Sequence, residues 1–152
     1  MLDLNGLKEI NDTEGHATGD GYIVGVSRLL QSTFRPTDEL ARWGGDEFAI
    51  LMESDEDPSE KVQKRLKTIS DPTLRFSAGI YTIPTQLLYE EARDNHLFGS
   101  HISDSIRIVL NEKVQLADKL MYEAKRQAKV KSGGFAKPTV ILRQTEIKDA
   151  SE

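Results

Sequence analysis

A chain of 152 residues, 38% hydrophobic and 30% charged, is sized for one globular domain with an ordinary core and is too short for two comfortable ones. It has no cysteine, which excludes disulfides, thiolate zinc sites and cysteine nucleophiles, so any metal must be held by oxygen or imidazole. A formal net charge of -5 argues against a nucleic-acid partner; no apolar run approaches the roughly twenty residues of a membrane segment, and Asp3 interrupts any secretory leader, so a cytoplasmic location is expected.

In chain order, "MLDLNGLKEIND" reads as the tail of a strand, Met1 to Leu4, running into a helical turn. From Asp20 onward Tyr22, Val26, Leu29 and Leu30 recur at helical spacing, and Pro36 stops that helix near Phe34. "ELARW" and "EFAILM" flank Gly44-Gly45, which predicts a hairpin whose two-residue loop uses positive φ at both glycines. Asp57-Pro58-Ser59-Glu60 supplies a capping acid, a first-turn proline and an acid three residues on, opening a helix to about Ile69.

"TLRFSAGIYTI" alternates apolar residues as a strand does, up to Pro84. Residues 85–101 show no clean period and read as an insertion ahead of a long helix, whose face carries Ile106, Leu110, Val114, Ala117, Met121 and Ala124. "PTVILR" is a last short strand, and residues 144–152 read as a disordered polar tail. Strands and helices intermix around one sheet, giving an α/β or α+β sandwich with at least one antiparallel hairpin.

Gly44-Gly45-Asp46-Glu47 taken alone is an ordinary turn composition. Its companions change the reading: Asp3 at the end of the first strand, then Asn11-Asp12, Gly15-His16 and Gly19-Asp20. With "LDLNGLKEIND", "GHATGD", "RPTDELARWGGDEF" and "ADKLMYEAK" in this order, residues 2–129 resemble the GGDEF family of diguanylate cyclases, which condense two GTP molecules into cyclic di-GMP and two pyrophosphates.

The resemblance implies a domain over residues 1–143 with the nucleotidyl-cyclase or ferredoxin-like fold, a central and mostly antiparallel sheet flanked by helices. It implies Mg2+, with Mn2+ as a substitute, held by Asp3, the carbonyl of Leu4 and Asp46. Such a share suits magnesium, which keeps several positions for water and phosphate. Asp46 takes the metal and general-base role and Glu47 a supporting catalytic one, and Gly44 and Gly45 let a triphosphate approach the backbone. Asn11 and Asp20 would select guanine, while Lys8, Lys125 and Lys129 would contact phosphate.

Arg35-Pro36-Thr37-Asp38 matches the family's RxxD site, at which cyclic di-GMP inhibits, with Arg65 as a loosely aligned second contact. A symmetric product made from two nucleotides implies a homodimer, and an upstream sensor domain is the expected further partner. The alternative is a catalytically weak domain that senses GTP or cyclic di-GMP. Family members place a helix and most of a strand ahead of the position of Asp3, so the front of this chain is expected to be shortened. "TVILR" would then be either the family's last strand or a filler for that gap.

Overall fold

The computed structural model of the chain describes residues 1–53, 58–69, 74–94, 102–132 and 139–144. Its elements are β1 (Leu2–Leu4), α1 (Leu7–Glu14), α2 (His16–Thr33), β2 (Glu39–Gly44), β3 (Glu47–Leu51), α3 (Pro58–Thr68), β4 (Phe76–Thr82), α4 (Thr85–Asp94), α5 (Ile102–Ser132) and β5 (Thr139–Gln144). The strands form one sheet in the order β2-β3-β1-β4-β5. Every pairing is antiparallel except that of β4 with β5, as expected for a mostly antiparallel α+β fold.

The shortest strand is the central one. Alternation along β1 sends Leu2 and Leu4 to one face, where Leu2 lies opposite Phe48 and Ala78, and Leu4 opposite Phe76. These side chains are buried with Leu7 from α1, Ile23, Val26 and Leu30 from α2, and Val62 and Leu66 from α3 in one core. Fully burying a leucine contributes about 1.5–3 kcal/mol, so two leucines anchor a strand with few backbone bonds of its own. Asp3, between them, faces the other side. There α5 crosses the sheet, burying Ala117, Leu120, Met121, Ala124 and Ala128.

That crossing depends on Gly79 of β4. A Cβ built there would sit 2.1 Å from the carbonyl oxygen of Ala117 and 2.2 Å from the nitrogen of Met121. Only a residue without a side chain allows strand and helix backbones to approach so closely.

Several elements differ from expectation. α2 begins at His16, not Asp20: Gly15 (φ 89) separates it from α1 in a conformation that favours glycine. The hairpin loop is displaced by one residue. Gly44 pairs with Glu47 across Gly45-Asp46, with a register shift between Arg42 and Gly44, and neither Gly44 nor Gly45 has positive φ. The chain reverses at Gly45-Asp46 beside this irregularity in β2, without a mirror-image turn. The segment read as an aperiodic insertion contains helix α4, packed on α5 through an ion pair between Glu91 and Lys113.

α3 starts at Pro58 as expected, but its predicted cap Asp57 lies outside the described residues, as do residues 95–101 and the tail 145–152. β5 runs parallel to β4, Val140 opposite Ala78, on the side away from β1. It is a further strand at the sheet edge and does not extend β1. No helix among the described residues is long and apolar enough to cross a membrane.

Candidate active site

The end of β1 and the β2–β3 turn are stitched together by backbone. The N–H of Leu4 donates to the carbonyl of Asp46 at 2.9 Å, and Asp3 lies opposite Glu47 in the β1–β3 register. Arg42 fixes the turn from outside, its Nε and Nη2 donating to the carbonyl of Gly45 at 3.1 and 2.8 Å. Asp3 and Leu4 are thereby gathered at one end of the sheet with Gly44, Gly45, Asp46 and Glu47, which follow them by 40 residues or more in the sequence. A Cβ on Gly45 would meet nothing within 4 Å, so the backbone there is open to a ligand.

From the facing helix, Lys125 enters this group. Its Nζ stands 2.8 Å from each oxygen of the Asp3 carboxylate, and its hydrogen bond is directed at Oδ2. Oδ1 is buried and has no hydrogen-bond partner among the described residues. Burial raises the Asp3 carboxyl above its ordinary value; Lys125 opposes this, while Asp46 and Asp118 add to it. Glu47 is also raised, by burial first and then by Asp118, Asp3 and Asp46. Water is thus partly excluded from a cluster of like charges held by one ammonium.

A buried carboxylate oxygen whose neighbouring ammonium directs its hydrogen bond at the other oxygen is one that a divalent cation could use. Among the described residues, no three acidic or histidine side chains stand together as a metal site by themselves. The protein share would therefore be small, two carboxylates and a carbonyl, which fits an ion that completes its shell with water and phosphate oxygen.

The remaining candidates fall into two further places. Asn11 of α1 packs against α2, where a Cβ on Gly19 would lie 1.9 Å from its Oδ1; this sets Asn11 beside Gly19-Asp20. Lys8, Asp20 and Lys129 are exposed, with Lys129 one helical turn beyond Lys125. Arg35 and Asp38 close a turn after α2: the N–H of Arg35 donates to Asp38 Oδ2 at 2.8 Å and the N–H of Asp38 to the carbonyl of Arg35 at 2.9 Å. This turn lies at the opposite end of β2 from Gly44, roughly 17–20 Å away along six residues.

Two participants went unread in the sequence. Asp118 sits seven residues before Lys125, two turns back on the same face of α5; that spacing was the available signal. Arg42 carried no signal, because its role depends on the local shift in strand register. Arg65 was only loosely aligned, yet its Nη1 lies 3.0 Å from Asp38 Oδ2 and its guanidinium 5.9 Å from the centre of the Phe34 ring.

Comparison with known proteins identifies the family. The family "Diguanylate cyclase, GGDEF domain" matches residues 1–131. Diguanylate cyclase DosC of Escherichia coli K12 is 32% identical over 130 residues, 85% of this chain and 26% of that protein. Diguanylate cyclase TpbB of Pseudomonas aeruginosa UCBPP-PA14 is 32% identical over 156 aligned positions, 99% of this chain and 33% of that one. The chain thus spans about a quarter to a third of these curated relatives.

Among solved structures, the GGDEF domain of PA1120 (TpbB or YfiN) from P. aeruginosa PAO1 superposes with a TM-score of 0.57 at 26% identity, covering 91% of this chain and 73% of that one. The active GGEEF domain of a Vibrio cholerae diguanylate cyclase shares the fold, with a TM-score of 0.60 at 22% identity over 95% and 81% of the two chains. With a family match over most of its length, the end of β1 and the β2–β3 turn meeting around Asp3, and solved relatives that superpose on it, this chain belongs to the GGDEF family of diguanylate cyclase domains.

Proposed function

We propose that this domain condenses two GTP molecules into cyclic di-GMP and two pyrophosphates, each of two subunits presenting one nucleotide to the other. The observation that carries the reading is the junction at Asp3: a buried carboxylate whose neighbouring cation is the Lys125 ammonium, tied by the Leu4–Asp46 hydrogen bond to an open glycine turn. Asp3, the Leu4 carbonyl and Asp46 would hold Mg2+, or Mn2+ in its place. When bound, the metal supplies charge neutralisation for the triphosphate and a lowered pKa for the attacking hydroxyl.

The chain's own groups position and exclude. Gly44 and Gly45 keep side chains away from the phosphates, while Lys8, Lys125 and Lys129 offer ammonium groups to them. Asn11, set beside Asp20 by the close packing at Gly19, reads the guanine edge together with that carboxylate. As the 3′-oxygen bonds to the α-phosphorus of the opposite nucleotide, the bond from that phosphorus to the departing pyrophosphate breaks. Glu47, its carboxyl raised by burial and by neighbouring acids, is suited to take the hydroxyl proton.

The Arg35–Asp38 turn, with Arg65 held against Asp38, is the inhibitory site for the product. Arginine's planar fork suits phosphate and guanine alike. Activation by an upstream sensor domain completes the proposal.

The test is incubation with GTP and Mg2+, scored for cyclic di-GMP and pyrophosphate in wild type and Asp46→Ala. Product from the first and none from the second is expected. Retained turnover in Asp46→Ala would overturn the metal assignment, and nucleotide binding without any product would favour a sensor.

A further inference from the structure

The Asp3–Lys125 pair does more than join α5 to β1. Its side chains are 5% and 28% exposed, and the ammonium is equidistant, at 2.8 Å, from both carboxylate oxygens. It therefore stands astride the group that would ligate a cation, with Asp46, Glu47 and Asp118 close enough to act electrostatically on that carboxylate or on its neighbour. An acid this enclosed needs a positive partner, and a flexible four-carbon stem lets that partner leave.

We infer that Lys125 is a displaceable counter-ion, which holds Asp3 in the metal-free protein and is exchanged for the divalent ion when that ion arrives. This inference rests on the reading of Asp3 as a metal ligand. Two consequences follow. Metal alone binds weakly, because it must first break an ion pair already formed. Nucleotide and metal reinforce each other, because the triphosphate gives the released ammonium a new anion, and such coupling is reciprocal. Lys125 thereby keeps Asp3 ordered and neutralised without a metal and contacts phosphate once one is present.

The experiment is calorimetric titration of Mn2+ into the full chain without nucleotide, for wild type, Lys125→Met, Lys125→Arg and Asp3→Asn. Methionine keeps the stem and removes the charge, so Lys125→Met is expected to bind Mn2+ about tenfold or more tightly than wild type. Lys125→Arg, still cationic, is expected to bind no better than wild type, and Asp3→Asn to lose the site. Equal or weaker binding by Lys125→Met, with Asp3→Asn still abolishing it, overturns the counter-ion role and leaves the metal site standing. Unimpaired binding by Asp3→Asn overturns the metal site itself and the inference with it.

A second measurement needs no variant. In wild type, amine-reactive labelling of Lys125, read by mass spectrometry, is expected to rise several-fold when Mn2+ is added at saturation without nucleotide. Unchanged labelling with the metal bound overturns the exchange.

Discussion

Gly79→Ala is the sharpest test of how the sheet and α5 are assembled. The added methyl carbon would lie 2.1 Å from the Ala117 carbonyl oxygen, 2.2 Å from the Met121 nitrogen and 2.8 Å from the Leu120 carbonyl carbon. All three are helix backbone, so no side-chain rotation relieves the overlap. Reaching an ordinary contact of about 3.5 Å requires β4 and α5 to part by about 1.4 Å, and a gap of that order forfeits much of the dispersion energy along the interface. Overpacking of this kind costs about 1–3 kcal/mol, and rigid obstacles place it at the upper end. Against a total of about 5–15 kcal/mol, a loss near 3 kcal/mol lowers the urea midpoint by about 1–3 M.

The same displacement acts on the site, because Lys125 lies one turn beyond Met121. Its 2.8 Å contact with Asp3 would stretch past the roughly 4 Å reach of an ion pair. Urea titration followed by circular dichroism measures the first effect. A midpoint indistinguishable from wild type would refute the close approach of helix and strand.

Gly19→Ala should separate stability from recognition. The new Cβ meets the far end of Asn11 at 1.9 Å, a side chain that can swing away, so the melting temperature should fall little while the KM for GTP rises about tenfold or more as the guanine contact is lost; an unchanged KM would count against Asn11 as a base reader. For Asp3, raised above its ordinary value chiefly by burial, the native state holds its proton to higher pH than the unfolded chain. Its contribution is therefore present in full below about pH 4 and is lost as pH rises through the raised native value. Asp3→Asn should gain stability relative to wild type over that interval in a series of denaturant titrations, and a constant difference would show the sign to be wrong. Arg65→Ala takes the guanidinium from Asp38, whose side chain is 3% exposed, and leaves the backbone N–H of Arg35 donating to it. A loss of about 1–3 kcal/mol is expected by thermal melting, together with weaker inhibition by cyclic di-GMP; tight inhibition in the variant would remove Arg65 from that site.

What could be read from the sequence was what is local. Tyr22, Val26, Leu29 and Leu30 announced α2 through their period, although Gly19, a poor helix former in its first turn, hid that turn and moved the predicted start to Asp20. The alternation of β4 and the stripe on α5 were equally legible. The β2–β3 loop was read one residue early because its geometry follows from the register shift at Arg42 and from that residue's bonds to Gly45, neither of which leaves a mark on the glycine pair. α4 was missed because "TQLLYEEARD" was taken together with the following residues, which blurred its period. Site residues were legible as motifs, but their grouping could be expected only through the family resemblance and not from spacing. Nothing in the spacing of Asp3 and Lys125, 122 residues apart, indicates that they touch.

A three-residue strand at the middle of the sheet also governs timing. Asp3 acquires neighbours only when β3 and β4 have both been synthesised, and its ammonium partner emerges later still. Contacts of such long sequence separation form late in folding. On the ribosome, the junction at Asp3 therefore stays unassembled until the stretch carrying Lys125 has emerged, so the proposed chemistry would be switched on by completion of the domain, not by degrees.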